Sequence, residues 1–232
     1  MKINRMLKFF ISLISFLFIN ITLSNVSLKN DTIEKFGIRV GADIHKIIRS
    51  ASNNDYTGFS FNADIRLKES IYISSEIGNE EKQINNYYIN STAKGNYLKF
   101  GAKFKLNKKD IGTQNITYSG LNIGFSGFNQ TINSYTIYNT NSSTWGESII
   151  NEPINLNDLN ALWFEILFGL KTEIINNLFL GFEIQLKNII SQKNKQEITN
   201  FYIPGFNRTY DSSGIGAGFS YTISYLIPVI KK

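Results

Sequence analysis

Cysteine is absent, which rules out disulfides, thiolate metal sites and lipid attachment of the lipoprotein kind. Histidine occurs once, and no HxxxH spacing, cysteine pair or carboxylate cluster offers a metal site, so the sequence implies no metal and no cofactor. Charge of one sign is scarce too. The formal net charge is +6, but Lys2, Arg5 and Lys8 crowd the N-terminus and leave only a dispersed +3 for the remainder. That argues against a nucleic-acid partner. Proline, at three residues, interrupts little, which suits many strands. The apolar run over residues 9–19 is broken only by serines and is about half of the roughly twenty residues a membrane-spanning helix needs.

That run follows the positive segment Met1-Lys-Ile-Asn-Arg-Met-Leu-Lys8 and stops at Asn20. The pattern predicts a cleaved secretory signal over 1–26, cut near 24–27, although no A-x-A site is present. Residues 33–228 are then expected to form one domain.

What the chain has in quantity is aromatic residues, at 14%, and alternation with a period of two. Over 161–188, Leu162, Phe164, Ile166, Phe168 and Leu170 share one face; after Glu173-Ile-Ile-Asn-Asn177, so do Leu178, Leu180, Phe182, Ile184 and Leu186. The opposite face is mixed and charged. A helix starting near Asp158 competes locally, because Glu165, Gly169, Thr172 and Glu173 would form a polar stripe. The other segments favour strands: 36–44, 57–67, 71–77, 97–106, 118–128 and 214–227 repeat the alternation, each with an unbroken apolar face. Such faces suit the nine to eleven residues of a tilted strand that crosses a bilayer. On 97–106 the other face carries Lys99, Lys103 and Lys105, which no dry second layer would bury.

These segments, with connections alternating long and short, predict an all-β, eight-stranded, antiparallel, up-and-down transmembrane β-barrel with four long loops at one end. Ten strands stay open as an alternative, because residues 135–138 are strand-like inside the long 129–160 connection. The last strand must pair with the first, since an open edge in hydrocarbon costs several kcal/mol for each unpaired backbone group. Phe36, Phe59, Tyr97, Tyr118, Trp163 and Tyr225 are expected in aromatic girdles.

The inward faces collect the charges: Arg39, Arg66, Lys99, Lys103, Lys105, Lys171 and Lys187 against Asp43, Asp64, Glu76, Glu165 and Glu183. Because an eight-stranded barrel holds its own side chains or one small ligand, these residues are expected to form an interior polar plug, with a narrow pore or small-ligand carrier as the alternative. With Leu170 opposite Leu180, Lys187 would lie diagonal to Glu165. His45 is expected to face inward at the loop end of the first strand, near Asp43. A rim lipid-modifying enzyme would use such a histidine, but no motif ties a serine or second acid to it. Gly214-x-Gly216-x-Gly218 lies inside a strand with no helix after it, which argues against dinucleotide binding and predicts room for long side chains. The 129–158 connection carries Trp145, Glu147, Glu152 and Asp158 without lysine or arginine, which suits a cationic or protein partner, or plain solvation.

The leader, the alternating segments and the terminal Phe219-x-Tyr221-x-Ile223-x-Tyr225 strand resemble small bacterial outer-membrane β-barrel proteins of the OmpA/OmpX-like kind. Gly37-Ile-Arg39-Val-Gly41-Ala-Asp43 resembles the early Gly-x-Arg-x-Gly-x-Asp strand of an outer-membrane barrel family of Bacteroidetes, over about residues 33–232. The resemblance brings no catalytic residues. The chain departs from it in closing on Ile227-Pro-Val-Ile-Lys-Lys232, where insertion signals often carry an aromatic residue. Together these readings predict an integral outer-membrane protein, not an enzyme, with a structural or surface-interaction role through its extracellular loops. Its expected partners are outer-membrane lipid, the barrel-insertion machinery and an extracellular ligand or protein.

Overall fold

The computed structural model describes residues 35–106, 115–137, 148–194, 198–208 and 213–231. The predicted signal segment, Trp145, Glu147 and Tyr138 lie outside them. In chain order the elements are β1 (Lys35–Asp43), α1 (Ile44–Ser52), β2 (Tyr56–Lys68), β3 (Ile71–Asn85), β4 (Ile89–Lys105), β5 (Ile116–Ile137), β6 (Ser148–Ile150), β7 (Ile154–Ile175), β8 (Leu178–Gln192) and β9 (Ile215–Lys231). Every pairing is antiparallel. Consecutive strands pair from β1 to β5, β5 then pairs with β7, and β9 returns to β1, from Lys35↔Lys231 to Asp43↔Thr222. The ring is thereby closed, and the sheet is an eight-stranded up-and-down barrel. β6 pairs only with residues 135–137 at the end of β5 and adds no stave. The ten-stranded alternative therefore falls.

The alternation sorts residues as inside and outside, and the sorting is the reverse of a soluble domain's. Phe59, Phe61, Leu98, Phe100, Leu121, Ile123, Phe125, Phe168 and Leu186 stand exposed on the outer face, Phe100 at 59%. Arg39, Asp64, Lys99, Glu165, Lys171, Glu183 and Lys187 are buried inside. Among the described residues apolar side chains also enter the interior, in three groups, one of them Tyr56, Ala93 and Tyr202. Tyr72, Ile116 and Tyr118 cluster near the end that carries the short turns. Tyr97, Phe128, Leu156, Leu159, Trp163, Ile203 and Phe206 cluster near the other, which we call the loop end.

Several expectations are corrected. Tyr97, Tyr118 and Trp163 point inward and are almost fully buried, so they form no outer girdle; Phe59 and Tyr225 do stand outside. Their ring area fills the barrel where the opposing strand offers glycine. Trp163 pairs with Gly124 and Tyr97 with Gly78, and a Cβ at either glycine would run into the neighbouring ring. The segments 79–96 and 129–160, where the apolar alternation gives out, are strand for much of their described length. β3 and β4 continue to Asn85↔Asn90, and β5 pairs with β7 as far as Ile132↔Ile154. Polar outward pairs such as Glu81 with Lys94 (2.8 Å) extend the ladder beyond the apolar band, a continuation that hydrophobic alternation does not signal.

The β7–β8 register also differs by two residues: Leu170 faces Phe182, not Leu180. The turn is tighter than the five residues 173–177, because β7 runs to Ile175 with a register shift after Glu173. Asn177, at φ 67°, then takes the left-handed conformation that a short turn needs. Glu165 consequently faces Lys187 directly.

β1 is shorter than the other wall strands. Asp43 ends it, accepting the His45 N–H at 2.9 Å and capping α1, whose Ile44, Ile47, Ile48 and Ala51 recur at helical spacing. β2 and β9 rise past this point, and α1 packs against both. The Ser50 hydroxyl accepts the Gly58 N–H (2.8 Å) and donates to the Gly58 carbonyl (3.0 Å), completing the β2 edge that β1 leaves open.

Candidate functional site in the barrel interior

The inward charges form two linked groups. Nearer the turn end, Arg39 Nε meets Asp64 at 2.9 Å on the adjacent strand, with its guanidinium carbon 5.0 Å from the ring centres of both Tyr72 and Phe179. Lys171 pairs with the same Asp64 from across the barrel. Lys103 meets Glu183 at 2.7 Å, and Glu183 also accepts from the Tyr118 hydroxyl (2.9 Å) and the Gln185 amide (2.9 Å).

Toward the loop end the pivot is Glu165. It accepts from the Trp163 indole N–H at 2.8 Å and lies 3.1 Å from Lys99 and 3.7 Å from Lys187. Lys99 is 3.6 Å from Glu76, which accepts from the Tyr97 hydroxyl at 2.7 Å. Lys46 of α1 reaches over the rim to Glu76 (3.3 Å), Glu80 (2.9 Å) and the Tyr97 hydroxyl. Cation and anion are matched: Arg39, Lys46, Lys99, Lys103, Lys171 and Lys187 stand with Asp43, Asp64, Glu76, Glu80, Glu165 and Glu183 in one interior. Burying so many ions is tolerable only because each has an opposite charge or hydrogen bonds at contact distance.

Two predicted members stand apart. Arg66 is half-buried at the turn end and donates to the carbonyls of Lys68 (3.4 Å) and Glu69 (3.0 Å). Lys105, near the end of β4, is likewise half-buried, and its backbone N–H donates to Ser70 (2.8 Å). Asp43 serves as the α1 cap. His45 borders the small cavity at the barrel mouth, but its ring leans to the outer wall and not into the interior as expected. Its ring lies 4.5 Å from Phe219 and 6.5 Å from Tyr221, both outward-facing, because the helix that starts after Asp43 replaces strand alternation with a 100° step.

A protein-family model described as a domain of unknown function, DUF6048, matches residues 6–232. The chain belongs to that family. No curated protein matches it. Among solved structures it is similar to neisserial surface protein A, a loose likeness at 9% identity and a TM-score of 0.39, covering 82% of this chain and 94% of that one.

Sequence reasoning missed a second layer of this DUF6048 interior. The connection between β8 and β9 folds back into the barrel mouth, where Tyr202, Ile203 and Phe206 are buried. Glu80 accepts from the Tyr202 hydroxyl (2.7 Å) and the Gly205 N–H (2.9 Å), and Lys187 donates to the Gly205 carbonyl (2.8 Å). Gln130 accepts from the Phe201 N–H (2.9 Å) and donates to the Thr199 carbonyl (3.3 Å). Phe206 packs edge-on to Trp163 at 5.8 Å. Signals were present: Phe201-Tyr-Ile-Pro-Gly-Phe206 is too apolar for a solvated loop, and Pro-Gly marks a tight turn, with Gly205 at φ 80°. Glu80 also continues the inward face four residues beyond Glu76. The Gly216 and Gly218 positions do make room, though for nearby groups: Phe206 beside the first and Lys187 beside the second. Among the described residues, a cavity of about 30 Å³, space for one or two waters, lies between Asp43, Lys46, Glu76, Glu80, Lys99 and Lys187.

Proposed function

We propose that this chain is an integral outer-membrane β-barrel protein with a plugged polar interior, acting as a structural or surface-interaction element through the hairpins and connections at its loop end. The observation that carries the reading is the reversed sorting of its side chains. A continuous outer band including Leu98, Phe100, Leu121, Ile123, Phe125 and Phe168 is exposed and apolar, while the lysines and carboxylates turn inward. In water such a band would be a severe aggregation liability; against acyl chains it costs nothing. A leader of secretory pattern at residues 1–26 accords with export. The loop end takes the extracellular side, and the band's partner is outer-membrane lipid after delivery by barrel-insertion machinery. Ion-paired lysines and the inward-folded 198–208 segment leave room for water but not for a solute, which favours a plug over a pore.

The test is fractionation of the mature chain followed by gel mobility of boiled and unboiled detergent samples. Retention in carbonate-washed membranes, with a mobility shift on boiling, is expected; recovery as a soluble periplasmic protein would overturn the assignment. Planar-bilayer recording after verified insertion is expected to show no steady conductance, and a reproducible unitary current would replace the plug with a pore.

A further inference from the structure

The outer wall is not uniformly ridged. Where β1, β2 and β3 run side by side, the outward positions Ala42, Ala63 and Ser75 carry small side chains, and Val40, Phe61, Ile77 and Leu98 stand around them. The result is a trough of about 550 Å³, open to the outside and lined mainly by apolar surface. Its register is fixed by the ladder: Ala42 faces Phe61, Phe61 faces Ile77 and Ile77 faces Leu98, with Val40, Ala63 and Ser75 one outward step nearer the turn end.

The trough has a chemical top. Beyond Ile77 and Leu98 the next outward pair is Asn79 with Asn96, hydrogen-bonded at 2.7 Å, and then Glu81 with Lys94 at 2.8 Å. On β3 and β4 the wall thus turns polar within one ladder step, while Phe59 of β2, opposite Asn79, is still apolar. At the same level α1 begins, immediately after Asp43. Its Lys46 and Ser50 are bonded inward, while Ile47 and Ile48 are exposed, Ile48 at 60%. A helix with its polar face in the barrel and its apolar face outside is seated as an interfacial helix would be.

We propose that the trough is a binding groove for one acyl chain of a lipid in the leaflet at the loop end. This rests on the membrane reading above. The groove is continuous with the apolar band, so its occupant comes from the same phase as the band's solvent. Its floor of small residues lets an extended chain lie closer to the backbone than elsewhere on the wall, gaining contact on three sides.

The experiment is native mass spectrometry of the full mature chain in detergent, delipidated and then titrated with dimyristoyl phosphatidylethanolamine. One lipid should be retained at protein activation energies that strip the rest. Ala63→Phe, which fills the trough from outside, should reduce that retention at least tenfold, and Ser75→Phe should repeat the loss on the neighbouring strand. Leu121→Ala, on a wall segment away from the trough, should leave it unchanged. Equal retention by all four proteins, or a dimer that Ala63→Phe dissolves in place of a bound lipid, overturns the groove. Heat-modifiability of each protein is measured alongside. Its loss in the unsubstituted chain would refute the barrel reading itself, whereas folded proteins with equal lipid retention refute only the groove.

Discussion

Replacing Glu165 by glutamine changes one charge and almost no shape. The Trp163 indole can still donate to the amide oxygen that replaces the carboxylate oxygen now 2.8 Å away, so the packing of the ring over Gly124 is kept. What is lost is attraction to Lys99 at 3.1 Å and Lys187 at 3.7 Å. At an effective dielectric of about 20 these are each worth about 4–5 kcal/mol before desolvation is counted. Lys99 retains Glu76 and Lys187 retains the Gly205 carbonyl, so the variant is not left with two bare ions. Breaking a buried pair by removing one partner typically costs about 3–5 kcal/mol, and that is the loss expected for Glu165→Gln. Lys187→Gln removes the excess positive charge again, so the double variant should be less damaged than the two single losses added together, by about 1–3 kcal/mol. The assay is urea unfolding of the protein in lipid vesicles, followed by far-UV circular dichroism and by the boiled-against-unboiled gel shift. A loss below about 1 kcal/mol for Glu165→Gln, or strict additivity in the double variant, would refute the view that Glu165 is the electrostatic pivot of the interior.

Gly124→Val should cost about 3 kcal/mol or more, since its side chain would occupy the space of the Trp163 indole, whereas Gly127→Ala, with open space around it, should stay within about 0.5 kcal/mol; thermal midpoints of the gel shift check both. The His45 imidazole is held below its usual range, first by burial and then by the nearby positive charges of Arg49 and Lys46, with Glu80 opposing. Its neutral form is therefore the one the folded state prefers. The seating of α1 should be firmest above the ordinary histidine value of 6.5 and weaken as pH falls below it. Amide exchange over residues 46–52, corrected for intrinsic rates, should accelerate more between pH 8 and pH 5.5 in the unsubstituted chain than in His45→Gln, the difference separating the imidazole from the Asp43 cap beside it.

Much of the barrel is readable from the period-two pattern, because inward and outward environments differ so sharply that each strand declares its faces. Arg39, Asp64, Lys99, Glu165 and Lys187 could be placed inside from parity alone. Parity fails where the backbone leaves the strand or where both faces are polar. It put His45 inside because it continued β1 through Asp43, though Ile44, Ile47, Ile48 and Ala51 already had a helix's spacing. It stopped β3 at Ile77 and β4 at Tyr97, where the outward residues change from apolar to polar while the ladder goes on. It assigned Tyr97, Tyr118 and Trp163 to a girdle on residue type, against their own parity. Nor can alternation pair Lys46 with Glu80 or Tyr202 with Glu80, contacts set by how a helix and a loop fold over the rim.

The interior contacts join residues far apart in the chain: Asp64 with Lys171 over 107 positions, Glu80 with Tyr202 and Gly205 over 122 and 125. Hairpins supply some pairs within themselves, Arg39 with Asp64, Glu76 with Lys99 and Glu165 with Lys187, but Lys171 and Lys103 reach their counter-charges Asp64 and Glu183 only across the closed barrel. On the membrane reading proposed above, these cross-barrel pairs favour closing the ring, β9 onto β1, together with insertion. Pairings of such sequence separation make for slow folding. The 198–208 segment bonds to Glu80 of β3 and Lys187 of β8, so its seating depends on wall strands that are far apart in the sequence.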